Sequence, residues 1–477
     1  MSNSSEEKQY DVVVIGAGPA GYVCAIRCAQ LGMRTACVDS WADAKGKPSL
    51  GGTCLNVGCI PSKALLDSSH HFAFMQNEST SHGIQVENLS LNVGAMQKRR
   101  QKIIKTLTTG IKGLFKKNGV DSYYGQGVVE QAGQVRVDVG DGDDILLSTK
   151  TVVIATGSKP TAFPNVEIDQ ERILDSTGVL ELDEVPEKLG IIGAGVIGLE
   201  MGSVWSRQGS DVTVIEAMPD FLPTADRDIA RKALKLLSSQ GLSINLATKV
   251  MSIERVDDHV EVLIEDKEGQ RSLQFDRLLI AIGRAPSTEG LRLDAIGVET
   301  DARGFIGVDS NWKTNVDGIY AIGDVIGGAM LAHKGSEEGV ALAEQLAGQA
   351  GHMDYDNIPW VIYTWPEVAW AGKTETQLKE QGRAYNVGEF PFMALGRARA
   401  MGDQAGKIKL IGDAETDQLL GAHIIGPNAS ELIAEVVVAM EAELSTEDLA
   451  RTIHAHPTLS EGMHEAALAV HKRPIHI

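Results

Sequence analysis

The sequence predicts an α/β protein built from two dinucleotide-binding folds of the βαβ kind, followed by a C-terminal α+β domain. Two observations carry this. A glycine triplet, GxGxxG, occurs twice, at Gly16, Gly18, Gly21 and at Gly193, Gly195, Gly198, each time between an apolar run and a helical stretch. From about Tyr355 the pattern changes to short strands separated by turn residues, the mark of an antiparallel sheet. A chain of 477 residues is long enough for about three such domains.

Residues 10–39, YDVVVIGAGPAGYVCAIRCAQLGMRTACVD, read as strand, tight turn, helix and strand. The glycines allow a sharp turn and close approach to a pyrophosphate, and the helix N-terminus offers N–H donors and a positive dipole end. Asp39 closes the second strand, where it can bond an adenosine ribose. A lone GxGxxG is weak, but here it has both flanking strands and the terminal carboxylate. Residues 189–216 repeat the device, and Glu216 follows Gly193 by the same spacing that separates Asp39 from Gly16. Two Rossmann-like folds follow from that repetition. TVVIATGSKP (151–160) and RLLIAIGRAP (277–286) are apolar strands ending in Gly and then Pro, read as crossing points between domains.

The stretch 51–63, GGTCLNVGCIPSK, places Cys54 and Cys59 ahead of a helical region around 62–76. A ring this small removes only about 2 kcal/mol of unfolded-chain entropy, so a Cys54–Cys59 bridge would be a poor staple. Redox chemistry suits the pair better. A helix N-terminus and Lys63 would both favour thiolate at Cys59. The alternatives are small buried residues or zinc ligands, but zinc wants a second ligand pair and none is found, so no metal is expected. Cys24, Cys28 and Cys37 fall on the first helix and strand and read as core.

A second helix near 95–118 is rich in Lys and Arg and reads as a solvated face. Strands fill 120–150, with turns at Gly133, Gly140 and Gly142. TNVDGIYAIGD (314–324) is another apolar strand, ending in Asp324. That carboxylate can reach sugar or ribityl hydroxyls, or equally cap a helix starting near Ala329. In the C-terminal region, VIYTWPEVAWAG, GEFPF, KIKLIGD and QLLGAHIIG read as antiparallel strands, with DAETDQ as a hairpin loop. ASELIAEVVVAMEA and STEDLARTI read as helices, the second with a Ser445…Asp448 capping box. In HAHPTLSEGMHEAALAV, His456 and Glu461 could form a base and its orienting carboxylate. His454 and His464 compete for that role, and by spacing alone each is as well an ordinary surface or capping residue.

Composition bounds the partners. The net charge of −20 repels nucleic acid and anionic membrane, so neither is expected. All five cysteines lie between Cys24 and Cys59, which is no extracellular disulfide framework. The opening residues MSNSSEEKQY carry neither a secretory nor a transit pattern, and no apolar run reaches transmembrane length, so a cytoplasmic location is expected.

Taken together, GAGPAG, GGTCLNVGCIPSK, ATGSKP, GAGVIGLE, AIGRAP, TNVDGIYAIGD, MLAHKGSEEG and HPTLSE resemble the pyridine nucleotide–disulfide oxidoreductases, in that family's order from about Tyr10 to the C-terminus. The resemblance implies an FAD domain with the redox disulfide at 1–150 and an NAD domain at 151–280. A return segment at 281–350 would complete the FAD region, and 351–477 would be the interface domain of a homodimer. FAD would be held by Gly16, Gly18, Gly21, Asp39, Gly52, Thr53, Lys63, Gly127, Thr156, Gly157, Asp324, Met330, Leu331, Ala332 and His333. NAD would meet Gly193, Gly195, Gly198, Glu200, Glu216 and Gly283.

Catalysis would fall to Cys54, the sulfur that exchanges with substrate, Cys59 beside the flavin, His456 from the partner subunit and Glu461. CIPSK and MLAHKGSEEG look like the lipoamide branch, which implies oxidation of protein-bound dihydrolipoamide within 2-oxo acid dehydrogenase complexes, beside their lipoyl-bearing acyltransferase. NAD is favoured over NADP because Glu216 would repel a 2′-phosphate and AMPDF after it has no Arg. Asp39 is Glu in many relatives, and Trp365 stands where they often have His or Asp. The alternatives are a reductase of another disulfide, such as glutathione disulfide, and a catalytically silent flavoprotein subunit.

Overall fold

A computed structural model describes residues 8–43, 45–140, 142 and 144–477, so most of the opening stretch read for a leader, residues 1–7, lies outside it. Chain contacts gather into two compact units. One contains residues 1–64, 97–161 and 283–353, and the other 65–96, 162–282 and 354–477.

The first unit is built on a sheet whose parallel strands are Asp121–Tyr124, Thr35–Asp39, Lys8–Ile15 and Ile145–Ile154, in that spatial order. The strand Ile319–Ala321 adds in parallel against Ile145–Ile154, while Gln134–Asp138 and Gln126–Gln131 continue as an antiparallel meander. Lys8–Ile15 lies between two strands, so its VVVI is buried on both faces, as a continuous apolar run requires. The helix Pro19–Gln30 crosses back over the sheet, packing Cys24 and Cys28 into the core at 0% exposure, with Cys37 on the next strand at 1%.

The second unit repeats the plan with five parallel strands in the order Leu242–Asn245, Asp211–Ile215, Lys188–Ile192, Arg277–Ile280 and Ile173–Leu174. Its C-terminal part is a fully antiparallel sheet of Trp360–Ile362, Glu367–Gly372, Leu419–Gly426, Lys407–Asp413 and Tyr385–Pro391. The stretch expected as one strand, VIYTWPEVAWAG, is two strands, because Pro366 cannot donate a ladder hydrogen bond and the chain turns there. Trp365, in that turn, packs against His70 with ring centroids 4.3 Å apart and planes tilted by 35°. The helix Thr446–Arg451 has the expected box, with Ser445 Oγ accepting from Asp448 N and Asp448 accepting from Ser445 N, both at 3.0 Å.

A buried charge cluster fastens the second sheet's helix Arg227–Ser239 to the C-terminal sheet. Lys409, 1% exposed, bonds Asp226 at 2.8 Å and also Glu375, the first residue of the helix Glu375–Glu380. Burial raises both carboxylates, but the ammonium outweighs it and holds them below their ordinary range. Among the described residues no helix is long and apolar enough to cross a membrane.

Candidate functional site

In the first unit the site is assembled around the N-terminus of the helix Pro19–Gln30. Gly16 adopts φ +104°, and a Cβ there would meet Ala155 O at 2.3 Å, so only glycine lets the turn lie against the neighbouring strand. A Cβ on Gly21 would meet Gly16 O at 1.9 Å, which fixes close helix packing. At Gly18 the nearest atom to such a Cβ is 4.0 Å away, leaving the concave side of the turn open.

Elements distant in sequence close on this turn. Gly52 packs its backbone on Gly18, where a Cβ would lie 2.7 Å from Gly18 Cα. Gly323 and Gly335 press on Ala20, and Gly339 on the helix backbone at Ala20 and Cys24. Asp39, at the strand end, accepts N–H bonds from Ala17 at 3.3 Å and Trp41 at 3.2 Å. Burial pushes its carboxyl up to about 6 despite those bonds.

Because Gly52 sits on the phosphate turn, the helix it opens, Gly52–Val57, brings Thr53 and Cys54 to the same place. That helix is absent from the elements the sequence predicts, since six residues give too little periodicity. The next helix starts at Cys59 and runs to Asn77, three residues earlier than the sequence suggests. Pro61 is tolerated inside its first turn because those N–H groups have no intrahelical acceptor. Cys54 is half-buried and Cys59 exposed. A hydrogen bond with Cys59, and then burial, push the Cys54 thiol far up against the opposing pull of Lys63.

Asp324 lies in the short turn Gly323–Ile326, and the following helix begins at Ala332 with Leu331 as its N-cap. Asp324 therefore does not cap that helix. Its Oδ2 instead accepts the Ser158 hydroxyl at 2.5 Å, and Ser158 Oγ accepts from Arg284 Nε at 2.7 Å. The turn is held from its other side by a buried pair, Lys334 and Glu338, 3.0 Å apart and 2% and 0% exposed. Lys334 donates to Gly323 O and Gly327 O, and Glu338 accepts from Gly323 N. These four residues are missing from the sequence reading, although Ser158 and Arg284 sit in its two crossing-point motifs.

Of the remaining expected contacts, Met330 precedes the helix Ala332–Leu346 and His333 is exposed on its first turn. Thr156 donates to Ser287 O at 2.6 Å, and Gly157 takes φ +72° with open space around it. Gly127 lies on the strand Gln126–Gln131 against Ile15.

The second unit copies the first turn closely. Gly193 has φ +105°, with Ala281 O where a Cβ would go, and Gly195 has nothing within 4 Å. Glu216 accepts N–H bonds from Ala194 at 2.8 Å and Met218 at 2.9 Å, the same two positions relative to the motif that bond Asp39. An apolar cleft of about 200 Å³ opens beside Gly195 and Glu216, with Met218, Asp220, Trp360 and Trp370 in its walls. Glu200 does not line it. It is 2% exposed, and its carboxylate accepts the Tyr363 N–H at 3.0 Å. Gly283 belongs to the first unit, with φ +124°, and its carbonyl accepts from Thr161 N. Both turns thus offer what a dinucleotide needs: a helix N-terminus, an open glycine face and a carboxylate at the following strand end.

The histidines separate clearly. His456 Nδ1 is 2.8 Å from Glu461 Oε1, its side chain 79% exposed. Glu461 also accepts from Thr458 N at 2.8 Å. Burial works upward on Glu461, but that N–H and the imidazole hold its carboxyl below its ordinary range. His454 has both nitrogens engaged, by Thr452 O and Glu435, and His464 lies against it with ring planes tilted by 52° and its Nδ1 buried.

Two dinucleotide turns, a dithiol seated on one of them and a carboxylate-held imidazole define a flavin-type disulfide oxidoreductase. The chain belongs to the pyridine nucleotide-disulphide oxidoreductase family, whose main domain matches residues 10–339 and whose dimerisation domain matches residues 358–467. It is 51% identical to a dihydrolipoyl dehydrogenase of Cupriavidus necator over 98% of this chain and 100% of that one. It is 49% identical to a mitochondrial dihydrolipoyl dehydrogenase of Pisum sativum, over 99% of this chain and 94% of the other. Among solved structures, the HOCl-induced flavoprotein disulfide reductase RclA of Escherichia coli superposes with a TM-score of 0.84 at 30% identity, covering 96% of this chain and 99% of that one.

Proposed function

We propose that this chain oxidises protein-bound dihydrolipoamide with NAD, using FAD and a Cys54–Cys59 redox disulfide, as a cytoplasmic homodimer serving 2-oxo acid dehydrogenase complexes beside their lipoyl-bearing acyltransferase. Residues 1–150, completed by Thr156, Gly157 and 281–350, hold FAD, the rest of 151–280 holds NAD, and 351–477 form the interface. The observation that carries this reading is the seating of Gly52 on Gly18. It ties the dithiol helix directly to the first phosphate turn.

Gly16, Gly18 and Gly21 bind the FAD pyrophosphate and Asp39 the ribose, while Asp324 bonds the ribityl chain. Gly52, Thr53, Lys63, Gly127, Thr156, Gly157, Met330, Leu331, Ala332 and His333 complete that site. Gly193, Gly195, Gly198 and Glu216 serve NAD. FAD held at the first site would supply two-electron redox chemistry between the dithiol and NAD.

With Nδ1 held by Glu461, the imidazole of His456 presents Nε2 as a base, and it acts across the dimer on a substrate thiol. The substrate thiolate attacks Cys54 Sγ, the Cys54–Cys59 bond breaks, and Cys59 leaves as thiolate at its helix N-terminus. The second substrate thiol, deprotonated in turn, attacks the substrate sulfur of the mixed disulfide. Cyclic lipoamide leaves and both enzyme sulfurs stay reduced. The raised thiol at Cys54 favours keeping the negative charge of that pair on Cys59.

The test is the visible spectrum and turnover of the purified protein. A yellow protein that oxidises dihydrolipoamide with NAD and leaves glutathione disulfide unreduced is expected. A colourless protein, or one faster with glutathione disulfide, would overturn the reading.

A further inference from the structure

The helix Val93–Asn118 carries eight Lys and Arg residues and no Asp or Glu, within a chain of net charge −20. Its charge is ordered. Lys98, Lys102, Lys105, Lys112 and Lys116 recur at helical spacing of four, three, seven and four, which aligns them on one face over about 27 Å at 1.5 Å rise per residue. All five are exposed, and among the described residues none has an ion-pair or hydrogen-bond partner for its ammonium group. The helix is anchored on a different face, through Ile111 and Phe115 at 6% and 2% exposure. The stripe is therefore not what holds it in place.

Like charges three or four residues apart destabilise a helix, whereas a glutamate four residues from a lysine would stabilise it. The chain has 64 acidic residues and puts none here. A cost kept along five turns points outward, to an anionic partner. The partner's size follows from screening, which confines exposed charges to about 8 Å at physiological ionic strength. A compact acidic body can meet the stripe alone. A membrane or a nucleic acid duplex would also meet the acidic remainder of the surface and be repelled.

We propose that this lysine stripe is a docking surface for a compact acidic protein domain, the one that carries the dihydrolipoyl arm. The inference rests on the dihydrolipoamide reading above. Docking raises the encounter rate of the tethered dithiol and leaves chemistry at the sulfurs unaltered.

The experiment uses the FAD-loaded enzyme, a Lys98→Glu/Lys102→Glu/Lys105→Glu variant, and the corresponding triple Gln variant, which adds no carboxylates. Each is assayed with free dihydrolipoamide and with an isolated, dihydrolipoylated domain of acidic net charge, at low and at physiological ionic strength. With the domain at low salt, kcat/KM should fall about tenfold in the Glu variant and by less in the Gln variant. Added salt should bring wild type towards the variants, while free dihydrolipoamide is turned over equally by all three. Equal kinetics of wild type and variants on the domain would overturn the proposal and leave the activity standing. Failure of wild type on free dihydrolipoamide would instead sink the activity itself. Wild-type binding to phosphatidylserine vesicles or duplex DNA, lost in the variants while domain kinetics are unchanged, would assign the stripe to an extended polyanion and overturn it too.

Discussion

His456 Nδ1 lies 2.8 Å from Glu461 Oε1, and the same carboxylate is held by the N–H of Thr458. The carboxylate directs the ring proton to Nδ1 and leaves Nε2 as the acceptor. His456→Gln should lower dihydrolipoamide turnover by roughly 10²- to 10⁴-fold, the usual worth of a positioned base. Flavin reduction by NADH should be largely retained, because that half-reaction takes no proton from a thiol. Stopped-flow measurement of both half-reactions checks this, and equal loss in the two would point to misfolding or a lost dimer.

Cys59 opens the helix Cys59–Asn77, where the dipole favours a thiolate, while the Cys54 thiol is pushed up by its neighbour and by burial. Cys59→Ser should therefore still bind FAD but lose the long-wavelength thiolate-to-flavin band on reduction. Absorption spectra of the reduced variant decide it, and persistence of the band would exchange the roles of the two sulfurs.

Glu216 is fixed by the N–H groups of Ala194 and Met218, and Met218 is 56% exposed. Replacing Glu216→Ala together with Met218→Arg removes a charge that repels a 2′-phosphate and adds one that attracts it. The ratio of kcat/KM for NADP over NAD should rise by about tenfold or more, in line with one charge-assisted contact. An unchanged coenzyme ratio would refute the role given to Glu216.

His423 is fully buried beside the Lys409 cluster, and desolvation lowers its pKa to about 4. Its unfolded-state value is near 6.5, so between those values the unfolded chain binds the extra proton. Stability should consequently fall as pH drops from about 6.5 to about 4, by roughly 2–3 kcal/mol from this residue. Asp226 and Glu375, both held low, add their own loss only further down, as pH falls below the ordinary carboxylate range. Denaturant unfolding at several pH values should show His423→Leu with a flatter slope between pH 6.5 and 4. An unaltered slope would place the linkage elsewhere.

Local rules made much of this legible. Each phosphate turn needs a positive φ at its first glycine and no Cβ at the third, requirements that appear directly as GxGxxG. The Ser445 box and the hairpin at 413–418 likewise depend on residues a few positions apart. The short helix carrying Cys54 escaped, because its place is fixed by Gly52 resting on Gly18, a contact with no periodicity of its own.

By itself the sequence determined two dinucleotide turns with matching carboxylates, a dithiol at the head of a helix, and a terminal region of five histidines in which His454, His456 and His464 compete for one role. Only the tertiary structure gave those three histidines different surroundings, engaging both nitrogens of His454, burying one of His464 and setting His456 beside Glu461. It also showed Asp324 to be bonded by Ser158, itself held by Arg284, with Lys334 and Glu338 holding the turn. The physical reason is range. A turn or cap is specified by neighbours along the chain, whereas a hydrogen bond between residues more than a hundred positions apart exists only once the sheets between them have formed.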